Sequence, residues 1–298
     1  MAASTLLDRR LLIVTGKGGV GKSTVSAALA MLAVRQGKRV LVCEPNAQER
    51  IAPLLGAPRA GSEIREAEPG LFTVNVIPPA AMREYGIMVL KFRTVYDAVF
   101  ENRLVRYFLR AVPGLAELVT LGKILHEVRT GSWDLVVLDA PSTGHAVQLL
   151  RVPSTLLETV PVGPMRHEAQ WMQELLVDPA RTALAIVTLP EEMPVNEAIE
   201  LDAQVRGVLG IARAALFVNA MPEDRFTRGE AARLGALSAA APPLGPAARA
   251  AALQAIRSEH AHRYLERARA ALDLPTTLLP LLPAASWGRP EVERIAAA

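Results

Sequence analysis

The feature that most constrains the fold is a segment near the start of the chain, LLIVTGKGGVGKSTVSAALAMLA at residues 11–33. A short apolar run, typical of a buried strand, leads into a glycine-rich loop, and a helical pattern follows the loop. Residues 16–23 match the phosphate-binding pattern G-x-x-x-x-G-K-S, in the strand–loop–helix context that this pattern requires. The segment therefore predicts an α/β protein with a phosphate-binding loop.

The rest of the chain repeats the alternation of strand and helix. Helical patterns cover residues 22–38, 196–210 and 247–273. Repeated strand–helix–strand units predict a mostly parallel, doubly wound sheet with helices on both faces. Short β-branched or aliphatic runs predict strands at 11–15, 39–43, 71–77, 134–139, 182–188 and 214–219.

Two stretches interrupt this alternation. Residues 80–130 contain helical patterns without a strand, and residues 153–180 contain four prolines. We interpret both stretches as helical insertions that form a small cap at one rim of the sheet. The whole chain, residues 1–298, is therefore expected to be a single domain.

Composition excludes several classes of function. Lys and Arg number 33 against 30 Asp and Glu, and no run of five like charges occurs, so no nucleic-acid partner is indicated. No stretch approaches the roughly 18 apolar residues of a membrane span, and the first residues lack a signal-peptide core. We therefore expect a cytoplasmic protein without an integral membrane segment.

The phosphate-binding loop and a second strand end predict a site for ATP and Mg²⁺. Glycines let backbone N–H groups turn toward anionic phosphates, and the helix N-terminus adds the positive end of its dipole. A predicted strand ends at Asp139, at the sheet edge where ligands collect, so Ser23 and Asp139 are the expected metal ligands. The expected nucleotide-binding residues of the loop are Gly16, Gly18, Gly19, Val20, Gly21, Lys22, Ser23 and Thr24.

The octet KGGVGKST at residues 17–24 resembles the deviant phosphate loop of a class of dimeric ATPases. In that class the extra lysine, here Lys17, crosses the dimer interface to the nucleotide of the other subunit and stabilises charge on the transferred phosphoryl group. The resemblance implies that catalysis requires two chains and that loss of Lys17 lowers the rate by ~10³-fold or more.

A second motif, DAPSTGHAVQLLRVP at residues 139–153, is similar to the second switch of the arsenite-transporting ATPase family, which includes the ATPases that deliver tail-anchored membrane proteins. The family's D-T-A-P-T-G-H is matched at Asp139, Thr143, Gly144 and His145. This resemblance implies a switch segment that senses the terminal phosphate. It also implies further nucleotide-side residues: Glu197 on a helix, Asn219 at the adenine edge, and Pro280 and Leu281 packing beside the adenine.

The sequence departs from this family after the strand at 39–43. The family's Asp-Pro-Ala, whose aspartate positions the attacking water, is replaced by CEPNAQER, with Glu44 at the aspartate and Asn46 at the alanine. A displacement of ~1 Å at a reacting centre lowers the rate by about 100-fold. The resemblance assigns this catalytic role to Glu44, with Lys17 and Asp139 as the other expected catalytic residues. Hydrolysis is therefore expected to be slow or to depend on a partner that closes the site.

These features leave two functions open. The first is a Mg-ATP-hydrolysing dimeric switch, a homodimer or a heterodimer with a related ATPase, that holds or releases a protein client. The second is a nucleotide-dependent binding module with little turnover, or one subunit of a heteromeric ATPase pair. Metalloid transport is disfavoured because Cys43 is the sole thiol, and membrane positioning because the tail RPEVERIAAA is short and weakly amphipathic.

Overall fold

The computed structural model describes residues 6–45, 47–90 and 114–298, so Asn46 and part of the expected insertion at 80–130 lie outside the described residues. The strands within the described ranges are β1 (Leu11–Gly16), β2 (Val40–Pro45), β3 (Arg65–Glu68), β4 (Leu71–Val76), β5 (Leu135–Ser142), β6 (Thr182–Thr188), β7 (Arg213–Met221) and β8 (Thr276–Pro280). They form one sheet in the order β3-β4-β2-β5-β1-β6-β7-β8. Neighbouring strands are parallel except for the edge pair β3 and β4.

Helices follow most of the strands. The helix Glu192–Gln204 passes directly into a π-helical turn, Val205–Leu209. This turn ends at Gly210, which has a positive φ of 66°. The helices within the described ranges are α1 (Lys22–Arg35), α2 (Ile51–Leu54), α3 (Pro78–Leu90), α4 (Leu115–Thr130), α5 (Thr143–Thr159), α6 (Pro164–Val177), α7 (Glu192–Gln204), α8 (Arg228–Leu237), α9 (Leu244–Leu272) and α10 (Arg289–Ala296).

The central strand β1 separates two hydrophobic cores. Leu11 and Ile13 point into a core covered by α4, α5, α6, α7 and α9, whereas Leu12 and Val14 point into a core covered by α1, α2 and α10. All four side chains are fully buried, as expected for a parallel strand with helices on both faces. The predicted α/β class, with its mostly parallel sheet and helices on both faces, is therefore confirmed.

Two edge strands and one helix differ from the expectations. The sequence of β3, REAE, carries no apolar signal because the strand is half exposed at the sheet edge, and β8 ends at a proline. The expected insertion at 153–180 does not begin at Pro153, because α5 continues through this proline to Thr159. Burial of Leu149, Leu150 and Pro153 against the sheet offsets the backbone hydrogen bond that proline removes.

The segment RPEVERIAAA is a core element. Its residues form α10, which packs on α1 and buries Val292 and Ile295. Within the described residues, none of the helices has the combination of length and apolar content that crossing a bilayer requires.

Candidate functional site

The carboxyl ends of the parallel strands bring the predicted site residues to one edge of the sheet. Val14 of β1 lies opposite Asp139 of β5, and β2, which carries Glu44, is the other neighbour of β5. On the opposite side of β1, the helix that follows β6 carries Glu197, and β7 carries Asn219. In an open α/β sheet this edge is where ligands bind.

The phosphate-binding loop has glycine where a side chain would collide with a neighbouring strand. A Cβ on Gly16 would lie 2.1 Å from the carbonyl oxygen of Val187 in β6, and one on Gly21 would lie 2.2 Å from Nδ2 of Asn219. Gly21 is also the N-cap of α1, has a φ of 93° and offers no side-chain acceptor. The N–H groups in the first turn of α1 are therefore available to an anion.

Ser23 and Asp139, the expected metal ligands, lie together. The Ser23 hydroxyl donates to Oδ2 of Asp139 at 2.6 Å, and the Ser26 hydroxyl donates to Oδ1 at 3.1 Å. Burial raises the pKa of Asp139, and the two hydroxyls together with the Lys22 charge oppose this rise. A hydroxyl and a carboxylate beside a phosphate-binding loop are oxygen donors of the kind that Mg²⁺ prefers, so the residues present fit this ion.

Each lysine of the loop has a partner within the chain. The Lys22 ammonium donates to the carbonyl oxygen of Lys17 at 3.0 Å, and its pKa is lowered, chiefly by burial. The Lys17 ammonium instead contacts Oε1 of Glu197 at 2.6 Å. The structure thus joins two residues that the sequence assigned separately to the nucleotide. Their separation of 180 positions along the chain explains why the pairing was not predicted.

Glu44 has a different environment from the one expected of a residue that positions water. Its side chain is 1% exposed, and its Oε1 accepts the backbone N–H of Arg50 at 2.7 Å. A longer contact of 3.4 Å joins the same oxygen to the N–H of Ile51 at the start of α2. Burial raises the pKa of Glu44 to about 7, against the effect of the bond from Arg50. The carboxylate therefore anchors the backbone that follows β2.

The residues assigned to the adenine side lie near each other at the ends of β7 and β8. Asn219 donates from Nδ2 to the carbonyl oxygen of Val20 at 2.9 Å, so its amide contacts the phosphate-binding loop. Pro280 pairs in register with Met221, and the backbone N–H of Leu281 donates to the Met221 carbonyl oxygen at 2.8 Å. The exposed Leu281 side chain is thus held beside the end of β7.

The switch motif lies where β5 passes directly into α5. Gly144 is exposed in the first turn of α5, and the helix starts at Thr143 without an intervening loop residue. A cavity of about 360 Å³ lies beside this turn and is lined by Pro45 at the end of β2, by Pro141 and His145 of the switch, and by residues of α4. The switch therefore borders both the end of β2 and the helical layer.

A second cavity, of about 370 Å³, shows site residues that sequence reasoning missed. Its lining includes Lys22, Ser23 and Thr24 of the phosphate-binding loop together with Arg50, Arg59 and Trp287. The last three stand on irregular segments, where hydrophobic periodicity gives no signal. The available clue was the pair of arginines that follows the altered Glu-Pro segment.

Comparison with known proteins identifies the family of this chain. A family model described as anion-transporting ATPase matches residues 9–162. ATPase BagA of Mycobacterium tuberculosis is 32% identical to this chain, over 94% of the chain and 88% of that protein. The arsenical pump-driving ATPase of Acidiphilium multivorum is 26% identical, over 71% of the chain and 40% of that protein. The chain therefore belongs to the anion-transporting ATPase family.

Proposed function

We propose that this protein binds and hydrolyses Mg-ATP and acts as a dimeric, nucleotide-driven switch. The observation that carries the proposal is the 2.6 Å contact between the Ser23 hydroxyl and the Asp139 carboxylate, at the uncapped N-terminus of α1. Lys22 and the N–H groups of the loop would bind the phosphates, while Ser23 and Asp139 would hold the metal. Bound Mg²⁺ would neutralise charge that develops on the phosphate oxygens.

The environment of Lys17 is compatible with a role across a dimer interface. Its side chain is 24% exposed and that of its partner Glu197 is 33% exposed. An ion pair in such contact with water contributes about 0–1 kcal/mol, so the triphosphate of an opposing subunit can compete for the ammonium. We expect ATP to draw together two copies of this chain, or this chain and a related ATPase.

The conformational output is proposed to pass through α5 to a protein client. Asp139 and α5 belong to one uninterrupted strand–helix unit, so a displacement at the terminal phosphate is transmitted to the helix without a flexible linker. The helices α4, α5 and α6 border an apolar groove of about 540 Å³ lined by Leu118, Leu156 and Met165, among others. Movement of α5 would change the shape of this layer.

Phosphate release by wild type and by Asp139→Asn tests the enzymatic part of the proposal. We expect Asp139→Asn to lower Mg²⁺-dependent hydrolysis by about 100-fold or more, because the metal loses a charged ligand. The matched control is Asp273→Asn, at the exposed C-terminal end of α9, where asparagine tolerates the positive φ of 50°. Equal hydrolysis by Asp139→Asn and wild type, or no binding of ATP by wild type, would contradict the proposal.

The second candidate is the weakly hydrolysing binding module, and the buried, backbone-bonded Glu44 favours it. If glutamate merely misplaces a catalytic carboxylate, Glu44→Asp should raise hydrolysis strongly. If the Glu44 carboxylate is needed where it is, the shorter side chain should give no gain. The single-turnover hydrolysis rates of wild type and Glu44→Asp separate the two candidate functions. A large gain in the variant favours the binding module, whereas rapid hydrolysis by wild type excludes it.

A further inference from the structure

The loop after β2 contributes cationic side chains to the cavity at the phosphate-binding loop. Lys22, Ser23 and Arg50 all line this cavity of about 370 Å³. Arg50 therefore shares the cavity with the loop lysine and with one of the expected metal ligands.

The Arg50 guanidinium has no anionic partner in the part of the chain that the structure describes. The adjacent Glu49 makes no ion pair with it; the Glu49 carboxylate oxygens accept the backbone N–H groups of Ala60 at 2.7 Å and Gly61 at 2.9 Å. Lys17 is turned to Glu197 at 2.6 Å. Within the described residues the Arg50 guanidinium makes no ion pair, so it is open to a phosphate in this cavity.

Glu44 fixes the position of this arginine. Its carboxylate oxygen accepts the backbone N–H of Arg50 at 2.7 Å from within the core. The methylene that distinguishes glutamate from the family's aspartate extends the carboxylate toward this N–H. The position where the chain departs from its family is therefore the one that anchors the arginine.

We propose that Arg50 contacts the terminal phosphate of ATP from within the same chain, and that Glu44 is its positioning residue. The proposal rests on the proposed function, since it requires that this cavity binds ATP. A guanidinium can donate two parallel hydrogen bonds to phosphoryl oxygens and stabilise the charge that develops on them. Because ADP lacks this phosphate, Arg50 should distinguish the two nucleotides.

The test measures the Kd of Mg-ATP and Mg-ADP and the single-turnover hydrolysis rate for Arg50→Ala. We expect the Kd of ATP to rise about tenfold, that of ADP to change less than about twofold, and hydrolysis to fall by about 100-fold. Arg257→Ala, which removes an exposed arginine of α9 away from the cavity, is the matched control and should leave all three values unchanged. Thermal unfolding of both variants verifies that they fold.

The positioning role of Glu44 is tested by rescue. Glu44→Ala should lose the preference for ATP over ADP as Arg50→Ala does, whereas Glu44→Gln, which keeps an oxygen acceptor for the Arg50 N–H, should retain it. An unchanged ratio of the two Kd values in Arg50→Ala, with wild type binding both nucleotides, overturns this inference alone. Failure of wild type to bind ATP would contradict the proposed function as well.

Discussion

At the scale of single residues, the site depends on close packing between the phosphate-binding loop and the strand ends around it. Gly16 lies against the backbone of Val187, and Gly21 lies against the amide of Asn219, which itself bonds to Val20. The packing of the fold therefore requires glycine at these two positions, independently of the expected ligand. By contrast, nothing lies within 4 Å of a Cβ built on Gly18.

We predict that Gly16→Ala destabilises the protein by about 2–4 kcal/mol, because the new methyl group would lie 2.1 Å from a backbone carbonyl oxygen that cannot rotate away. Gly18→Ala, in the same loop but with open space around it, should change the free energy of unfolding by less than about 0.5 kcal/mol. Urea unfolding of the nucleotide-free proteins measures both values. Equal stability of the two variants would show that the loop is not packed on β6 in this way.

The raised pKa of Glu44 predicts how stability depends on pH. The folded state raises the pKa from 4.5 to about 7, so folding favours the protonated carboxyl. The corresponding stabilisation is present below the unfolded value of 4.5 and is lost as the pH rises through about 7. Its size is on the order of 3 kcal/mol.

We therefore expect Glu44→Gln, which removes the ionisation, to gain stability relative to wild type between pH 4.5 and 7, with no further change above pH 8. The measurement is the free energy of unfolding of both proteins, without nucleotide or Mg²⁺, at several pH values. A difference between the proteins that stays constant over this range would mean that Glu44 ionises normally in the fold.

At the scale of elements, strands with unbroken apolar runs could be predicted and edge strands could not. The runs that form β1, β2, β4, β5, β6 and β7 are buried on both faces, and this burial is what the sequence pattern reports. The pattern failed for β3, which is polar, and for β8, which is short and ends at Pro280. It also failed at Pro153, where tertiary packing overrides the usual effect of proline on a helix.

Sequence patterns likewise predicted only part of the candidate site. Motif spacing assigned the phosphate-binding loop and Asp139, because these residues stand at fixed offsets from predicted strands. Arg50 and Trp287 stand on segments without regular structure, and the Lys17–Glu197 pair joins positions far apart in the sequence. Their proximity depends on how the chain crosses the sheet, which no local pattern encodes.

The segment between β8 and α10 carries an aromatic side chain that should report nucleotide binding. Trp287 is 44% exposed and lines the cavity beside the phosphate-binding loop, whereas Trp133 is buried and Trp171 lies in α6. We expect ATP or ADP to change the tryptophan emission of wild type, because the nucleotide changes the solvent exposure of Trp287. Trp287→Phe should lose most of this change and Trp171→Phe should keep it; a signal that persists in Trp287→Phe would place the nucleotide elsewhere.

At the scale of the whole molecule, the proposed function gives the two faces of the sheet different tasks. On one face, α10 packs on α1 and supports the helix whose N-terminus faces the expected phosphates. On the other face, α5 connects the switch at Asp139 to the helices α4 and α6. In the proposed function, a nucleotide at the shared edge would bias the helical layer while the opposite face stays packed. The proposed dimer adds Lys17 from a second chain to this edge.

Mixing two inactive variants tests most directly whether Lys17 acts on the nucleotide of another subunit. Lys17→Ala keeps its own Ser23 and Asp139 but lacks the lysine, and Asp139→Asn keeps Lys17 but lacks a working metal site. We expect each variant alone to hydrolyse little ATP, and an equal mixture to regain about a quarter of the wild-type rate, because half of the dimers are mixed and each has one complete site. No recovery in a mixture shown by mass measurement to contain mixed dimers would contradict a lysine that acts across the interface.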